Sequence, residues 1–342
     1  MELDRYDAIP KVELHCHVEG TVRPLTVVEL AEKNGRRLPT EDPSEVYRYD
    51  SLDGFLAVFW LVQELLVDRE DWSRVAYEAI VDAVPHGLRY RETFFTPARH
   101  IAAGQHLEDI IAGLTQGIET AEHETGASCM LICDIDRSYG GAGAVELAEE
   151  LVRLRRAGLA DRVIGLGMDS TERGVDPRDF APAYAIARSG GLRLTGHAGE
   201  DTGPENITDA LSALDLERID HGIAIMEDPE LVGRVSSARI PLNVCPSSNV
   251  VIANRYPTLA DHPFRAMRDA GLLVTLNTDD PAMTGADLGT EYRALAAAHG
   301  MSFDDMCDVA IEGIEATWLD DSERRTMRRA FEGEVADLAP HG

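Results

Sequence analysis

Positive charge is scarce in this chain: its 342 residues hold 32 Lys and Arg against 61 Asp and Glu, a formal net charge of −29. Nucleic acid backbones and anionic membrane surfaces both attract clustered Lys and Arg, so no nucleic acid and no membrane partner is expected. The acidity reads as a well-solvated surface. Long apolar runs are missing too, and no stretch reaches the roughly 20 residues that cross a bilayer. The opening MELDRYDAIPKVELHCH has no apolar segment behind a basic one, so no secretion leader is expected. Cysteine is limited to Cys16, Cys129, Cys133, Cys245 and Cys307, with no CxxC pair. That odd, scattered set is expected as reduced thiols in a cytoplasmic protein. Cys129 and Cys133, inside CMLICDI, fit small buried hydrophobes on a strand.

No linker, repeat or low-complexity tract divides the chain, so residues 1–342 are read as one domain. Short apolar runs recur at Lys11–His17, Leu88–Phe95, Cys129–Ile135, Val163–Met168, Arg193–His197, Arg218–His221, Ile240–Val244 and Leu273–Asn277. Stretches of helical periodicity that end in glycine, such as DPRDFAPAYAIARSGG, lie between them. Strand then helix, eight times over, predicts an α/β fold: a (β/α)8 TIM barrel with extra helices inserted after strand 1. An open doubly wound sheet is the runner-up. It would usually carry a glycine-rich phosphate turn after its first strand, where this chain has His15 and His17. Within the long first insertion, Ser51–Leu66 predicts an apolar helix with Phe55 and Phe59 one turn apart. They either pack in the core or roof a pocket. A loose tail is expected after Val335.

Four fragments carry the chemistry: His15-Cys16-His17, His197-Ala198-Gly199-Glu200, Asp220-His221-Gly222 and Thr278-Asp279-Asp280-Pro281. Histidines at i and i+2 on a strand point the same way. A third imidazole and a carboxylate complete a nitrogen and oxygen sphere for a divalent transition metal, with a position left for water. A glutamate three residues past the third histidine can handle the proton that this water loses. Taken singly, the histidine pair also fits a polar surface, and Asp279-Asp280 before Pro281 also fits a helix cap. Each fragment falls at the C-terminal end of its strand, where barrel active sites sit.

In order and spacing, VELHCHVEG, HAGE, RIDHG, CPSSN and NTDDP resemble the adenosine and adenine deaminase family of metal-dependent aminohydrolases, from about Pro10 to about Leu295. The resemblance implies one zinc ion per chain and hydrolytic removal of ammonia from C6 of a small-molecule aminopurine. It implies His15, His17, His197 and Asp279 as metal ligands, Glu200 as proton shuttle, His221 as the residue that orients the attacking water, and Asp280 as a hydrogen-bond partner of the purine. After strand four the adenosine enzymes carry Asp-Leu-x-Gly-Asp/Glu; here Gly167-Met168-Asp169-Ser170-Thr171-Glu172 stands instead, nearer the adenine branch. Ser170 and Glu172 then meet N3 and N9 of a free base, or Glu172 meets a ribose hydroxyl. The main expectation is an adenosine-like nucleoside, because the Phe55–Trp60 helix can cover more than a base. Free adenine and aminodeoxyfutalosine are the alternatives. A monomer and a homo-oligomer both stay open.

Overall fold

The computed structural model of the chain describes residues 4–40, 42–48 and 52–338; of the side chains at 52, 53, 55 and 56 nothing is described. Parallel strands alternate with helices throughout. One run of neighbours is β1 (Lys11–Glu13), β2 (Leu88–Phe95), β3 (Ser128–Asp136), β4 (Val163–Asp169) and β5 (Arg193–Leu194). The second is β6 (His197–Ala198), β7 (Ile219–His221), β8 (Leu242–Val244) and β9 (Val274–Leu276). β5 and β6 are one barrel strand interrupted at Thr195-Gly196. The Thr195 amide still donates to Leu166 O (3.1 Å), and Gly196 O accepts from the Asp220 amide (3.0 Å).

The seam between first and last strands is closed by other means than a regular ladder. The Asp279 amide donates to His15 O (3.1 Å) and the His17 amide to Asp279 O (2.9 Å). Side chains finish it: the Leu14 amide donates to Asn277 Oδ1 (2.8 Å), and the Thr278 amide and hydroxyl donate to Glu13 Oε1 (3.1 and 2.6 Å). The fold is the expected (β/α)8 barrel.

Alternation along each strand sorts the side chains. Leu131, Cys133 and Ile135 of β3 face the helices and join the main core with Ala144, Leu147 and Leu151, while Asp134 lies on the other face. On β4, Leu166 and Met168 face outward in the same way. All five cysteines are free and buried. The N-terminal end of the barrel is plugged by a buried ion pair of Glu92 and Arg218, with the Arg218 guanidinium 3.5 Å from the Trp318 ring centre.

The long first insertion contains the expected extra helices, Pro24–Lys33 and Leu52–Leu65. The helix Arg69–Ala83 follows, opened by a reciprocal capping pair of Asp68 and Asp71. The Leu52–Leu65 helix packs against the turn Val18–Thr21, just past His17. The expected loose tail is corrected in part: a helix runs through Asp321–Leu338, well past Val335. Among the described residues no helix is long and apolar enough to cross a membrane.

Candidate metal centre

The first turn of chemistry follows from strand geometry. His15 and His17 project from the end of β1 into the barrel, where both are buried. His197 enters from β6 and Asp279 from the loop after β9. His15 Nε2 stands 3.2 Å from Asp279 Oδ1, His17 Nε2 stands 3.4 Å from that oxygen, and His17 Nε2 stands 3.3 Å from His197 Nε2. Four ligand atoms arranged tetrahedrally about an ion at about 2.0–2.1 Å lie about 3.3 Å apart, so this donor set fits a single divalent metal. The electrostatics agree. His15 lies between two carboxylates, Asp279 and Asp220. Burial works against charge on its ring, yet those acids hold its pKa well above the usual imidazole value. The position demands a cation. His197, by contrast, is kept neutral first by burial and then by the neighbouring imidazoles, which leaves a lone pair for coordination.

His221 faces the same group. Its Nε2 is 3.7 Å from Glu200 Oε1 and 3.8 Å from Asp279 Oδ2. A chain of hydrogen bonds fixes its tautomer. The Phe264 amide donates to His262 Nδ1 (3.1 Å), so His262 Nε2 donates to Asn249 Oδ1 (3.1 Å). Asn249 Nδ2 then donates to His221 Nδ1 (3.0 Å), which leaves the proton on His221 Nε2, aimed at the centre. Burial, then the charge of His15, lowers the His221 pKa to about 4. We expect Asn249→Ala to lower kcat about 10- to 100-fold, as losing a buried hydrogen bond of about 1–3 kcal/mol implies, with metal content unchanged. An unaltered kcat would mean that the ring is oriented by something else.

Glu200 has the opposite character. Burial, then Asp279 and Glu172, raise its carboxyl pKa well above the usual range, which favours its protonated form. Asp280 is raised for the same leading reason, with Asp279 as the next cause. Its side chain caps no helix, which removes the capping alternative, and its Oδ1 is buried without a partner. Gly20 is required here, since a Cβ on it would stand 1.9 Å from that oxygen.

Glu172 needs correction as a substrate contact. Its carboxylate turns under the Glu200 loop and accepts from the amides of Gly199 (2.7 Å), Glu200 (2.8 Å) and Asp201 (3.3 Å) and from Thr202 Oγ1 (2.5 Å). Both oxygens accept from this loop, so in this structure Glu172 holds the loop. Burial opposes its ionisation, but the charge of Arg137 and these donors outweigh it and lower its pKa. Ser170 is exposed, with φ of 69°, a left-handed backbone that costs a non-glycine residue roughly 1–2 kcal/mol. Phe59 is half-buried against the main core, and Trp60 is exposed beside Arg99. The Phe55 side chain lies outside the described residues.

Several supporting residues escaped the motif reading. Asn249 and His262 set the tautomer, Ser248 Oγ donates to Asp279 Oδ2 (2.5 Å), and Asp220 Oδ1 stands 3.4 Å from His15 Nδ1. Arg137 ties the carbonyls of Asp169 (2.9 Å) and Ser170 (2.8 Å) to that of His197. Glu19 is buried with Oε2 unpartnered, and burial raises its pKa to about 7. CPSSN, RIDHG and VELHCHVEG contain four of these; nothing in the spacing signalled His262 or Arg137.

A parallel barrel with a histidine and aspartate centre at the C-terminal ends of its strands defines a metal-dependent hydrolase of the amidohydrolase superfamily. The sequence profile of the adenosine deaminase family matches residues 10–332. An adenine deaminase of Streptomyces coelicolor is 38% identical over 338 residues, covering 96% of this chain and 97% of that protein. The crystal structure of an adenine deaminase from Arthrobacter aurescens superposes with a TM-score of 0.90 at 33% identity, covering 96% of this chain and 99% of the other. A zinc-bound amidohydrolase from Burkholderia ambifaria superposes with a TM-score of 0.89 at 31% identity, covering 99% and 95%. The chain belongs to the adenosine deaminase family, enzymes that hydrolyse a carbon–nitrogen bond of an amidine type.

Proposed function

We propose that this enzyme deaminates free adenine, using one zinc ion held by His15, His17, His197 and Asp279. The observation that carries the chemistry is that His15 and His17 stand 3.2 and 3.4 Å from one Asp279 oxygen and His17 stands 3.3 Å from His197, with ligand atoms of His15, His197, His221 and Asp279 all within 4.8 Å of one another beside Glu200. When bound, the ion supplies the positive charge that makes a water acidic enough to ionise near neutral pH. The protein does the rest. Glu200 gives its proton to purine N1, which makes C6 electrophilic. His221 donates from Nε2 to the attacking oxygen and aims it at C6. Asp280 hydrogen-bonds N7 and sets the ring plane. Glu200, now a carboxylate, takes the proton of the hydroxyl added at C6 and passes it to the exocyclic nitrogen, so that the C6–N bond breaks, ammonia leaves and the 6-oxopurine remains.

The free base replaces a nucleoside as the favoured substrate for two reasons. Relatives aligned over nearly their full length, at 34–38% identity, are adenine deaminases. Glu172, the residue expected to meet a ribose hydroxyl, has both oxygens committed to the 199–202 loop. The unpartnered carboxyl oxygens Glu19 Oε2 and Asp280 Oδ1 favour a neutral hydrogen-bonding ligand and oppose a phosphate. kcat/KM measured side by side by ultraviolet absorbance on adenine, adenosine, aminodeoxyfutalosine and AMP should rank adenine first. AMP should be at least about a hundredfold poorer, a discrimination of about 2.7 kcal/mol. Adenosine ranking first would restore the nucleoside reading, and AMP ranking first would overturn the pocket chemistry.

A further inference from the structure

Two of the four candidate ligands have a second group hydrogen-bonded to them, and a third, His15, has a carboxylate within ion-pair distance. His15 Nδ1 faces Asp220 Oδ1 (3.4 Å), His197 Nδ1 donates to Met168 O (2.9 Å), and Asp279 Oδ2 accepts from Ser248 Oγ (2.5 Å). His17 Nδ1 is buried and has no hydrogen-bond partner. Across a 4.0 Å gap from it lies Asp134 Oδ2, on a fully buried carboxyl whose two oxygens are also unpartnered. Room for that carboxyl is made by a glycine on the next strand: a Cβ on Gly167 would stand 2.0 Å from Asp134 Oδ1 and 3.2 Å from the Phe94 ring. Leaving a carboxyl and an imidazole N–H both unsatisfied inside a barrel is costly. They are complementary, and a small rotation of either side chain joins them.

We propose that Asp134 is the positioning residue for His17, accepting the Nδ1 hydrogen and thereby holding Nε2 toward the metal. This rests on the metal-centre reading above. The arrangement completes a set in which each histidine ligand has its own acceptor, which fixes the tautomer and raises the basicity of the coordinating nitrogen. A second ion between Asp134, His17 and His197 is disfavoured, because His197 Nδ1 is already committed to Met168 O. From sequence, one aspartate in the apolar run CMLICDI carries no spacing signal.

The test uses the full chain as wild type, Asp134→Ala, Asp134→Leu and Asp134→Asn. Zinc content is measured by elemental analysis, zinc Kd by competition with a chromophoric chelator, and Tm on the metal-free proteins. Wild type should hold one zinc per chain. Both apolar variants should weaken zinc about 10- to 100-fold, the usual cost of losing such a partner. Asp134→Asn, which keeps an acceptor oxygen, should recover most of that loss. Metal-free Asp134→Leu should melt at or above the wild-type temperature, because without the ion the Asp134 carboxyl stands 4.0 Å from His17 Nδ1 and is unpaired. A merely structural role would do the reverse, lowering the metal-free Tm and leaving zinc Kd unchanged, and that result overturns the proposal. Two zinc ions in wild type falling to one in Asp134→Ala would also overturn it, by making Asp134 a ligand. Wild type that binds no zinc would overturn the metal centre itself, whereas tight zinc in both wild type and the apolar variants overturns only the role of Asp134.

Discussion

Glu200→Gln is expected to lower kcat by roughly 10²- to 10⁴-fold, the usual worth of positioned proton transfer, while zinc stays bound and the fold is kept. Gln is nearly isosteric, so the loop held by Glu172 has no reason to move. What it lacks is a proton that can be given to N1 and taken up again. The half-buried position of Glu200, close to Asp279 and Glu172, raises its carboxyl pKa and favours the form that carries that proton. Because Glu200 Oε1 is 3.7 Å from His221 Nε2, both groups serve the same reacting carbon. Single-turnover and steady-state rates on adenine, with metal analysis of the same preparation, check this. A variant retaining more than about a tenth of the wild-type kcat would remove Glu200 from the general-acid role.

The second large effect is loss of the ion. Dialysis against a strong chelator should abolish deamination, and stoichiometric zinc should restore it. Iron or manganese that restores it instead changes the ion and not the mechanism, since a three-histidine, one-carboxylate set accepts several first-row metals. Asp279→Ala should behave like the stripped enzyme at ordinary zinc concentrations, because it removes one ligand and the acceptor that faces both His15 and His17. Full activity after proven metal removal would defeat the hydrolytic assignment.

The parts of the site that were legible share one property: their spacing in sequence maps directly onto a strand. His15 and His17 at i and i+2 share a face, and His197, His221 and Asp279 stand at or just past the ends of their barrel strands, so the barrel order brings them to one end. The expected strand limits hold closely where the ladder is regular, as at Leu88–Phe95, and shrink where functional residues leave it. β1 ends at Glu13, and beyond it Cys16 and His17 pair with Asp279 and Phe94 only as isolated bridges. His221 and Asp279 take left-handed backbones, with φ of 57° and 65°, which ends the regular strand at the residue that does the chemistry. What sequence could not convey was direction. Glu172 follows the strand end as a substrate contact would, yet the donors of the 199–202 loop turn it inward. His262 acts through Asn249 at one remove, a relation that only folding creates.

The seam of the barrel has a consequence for how the protein holds its shape. The bonds from the Asp279 amide to His15 O and from the His17 amide to Asp279 O join segments more than 260 residues apart in the chain. Contacts of such long range repay their loop-closure entropy late in folding. Here residues that clasp the first strand to the last, His15, His17 and Asp279, are also among those proposed to hold the ion. On that ligand set, closing the ring and capturing the ion are linked equilibria, each favouring the other. The proposed cofactor then belongs to the circumference of the protein as well as to its chemistry.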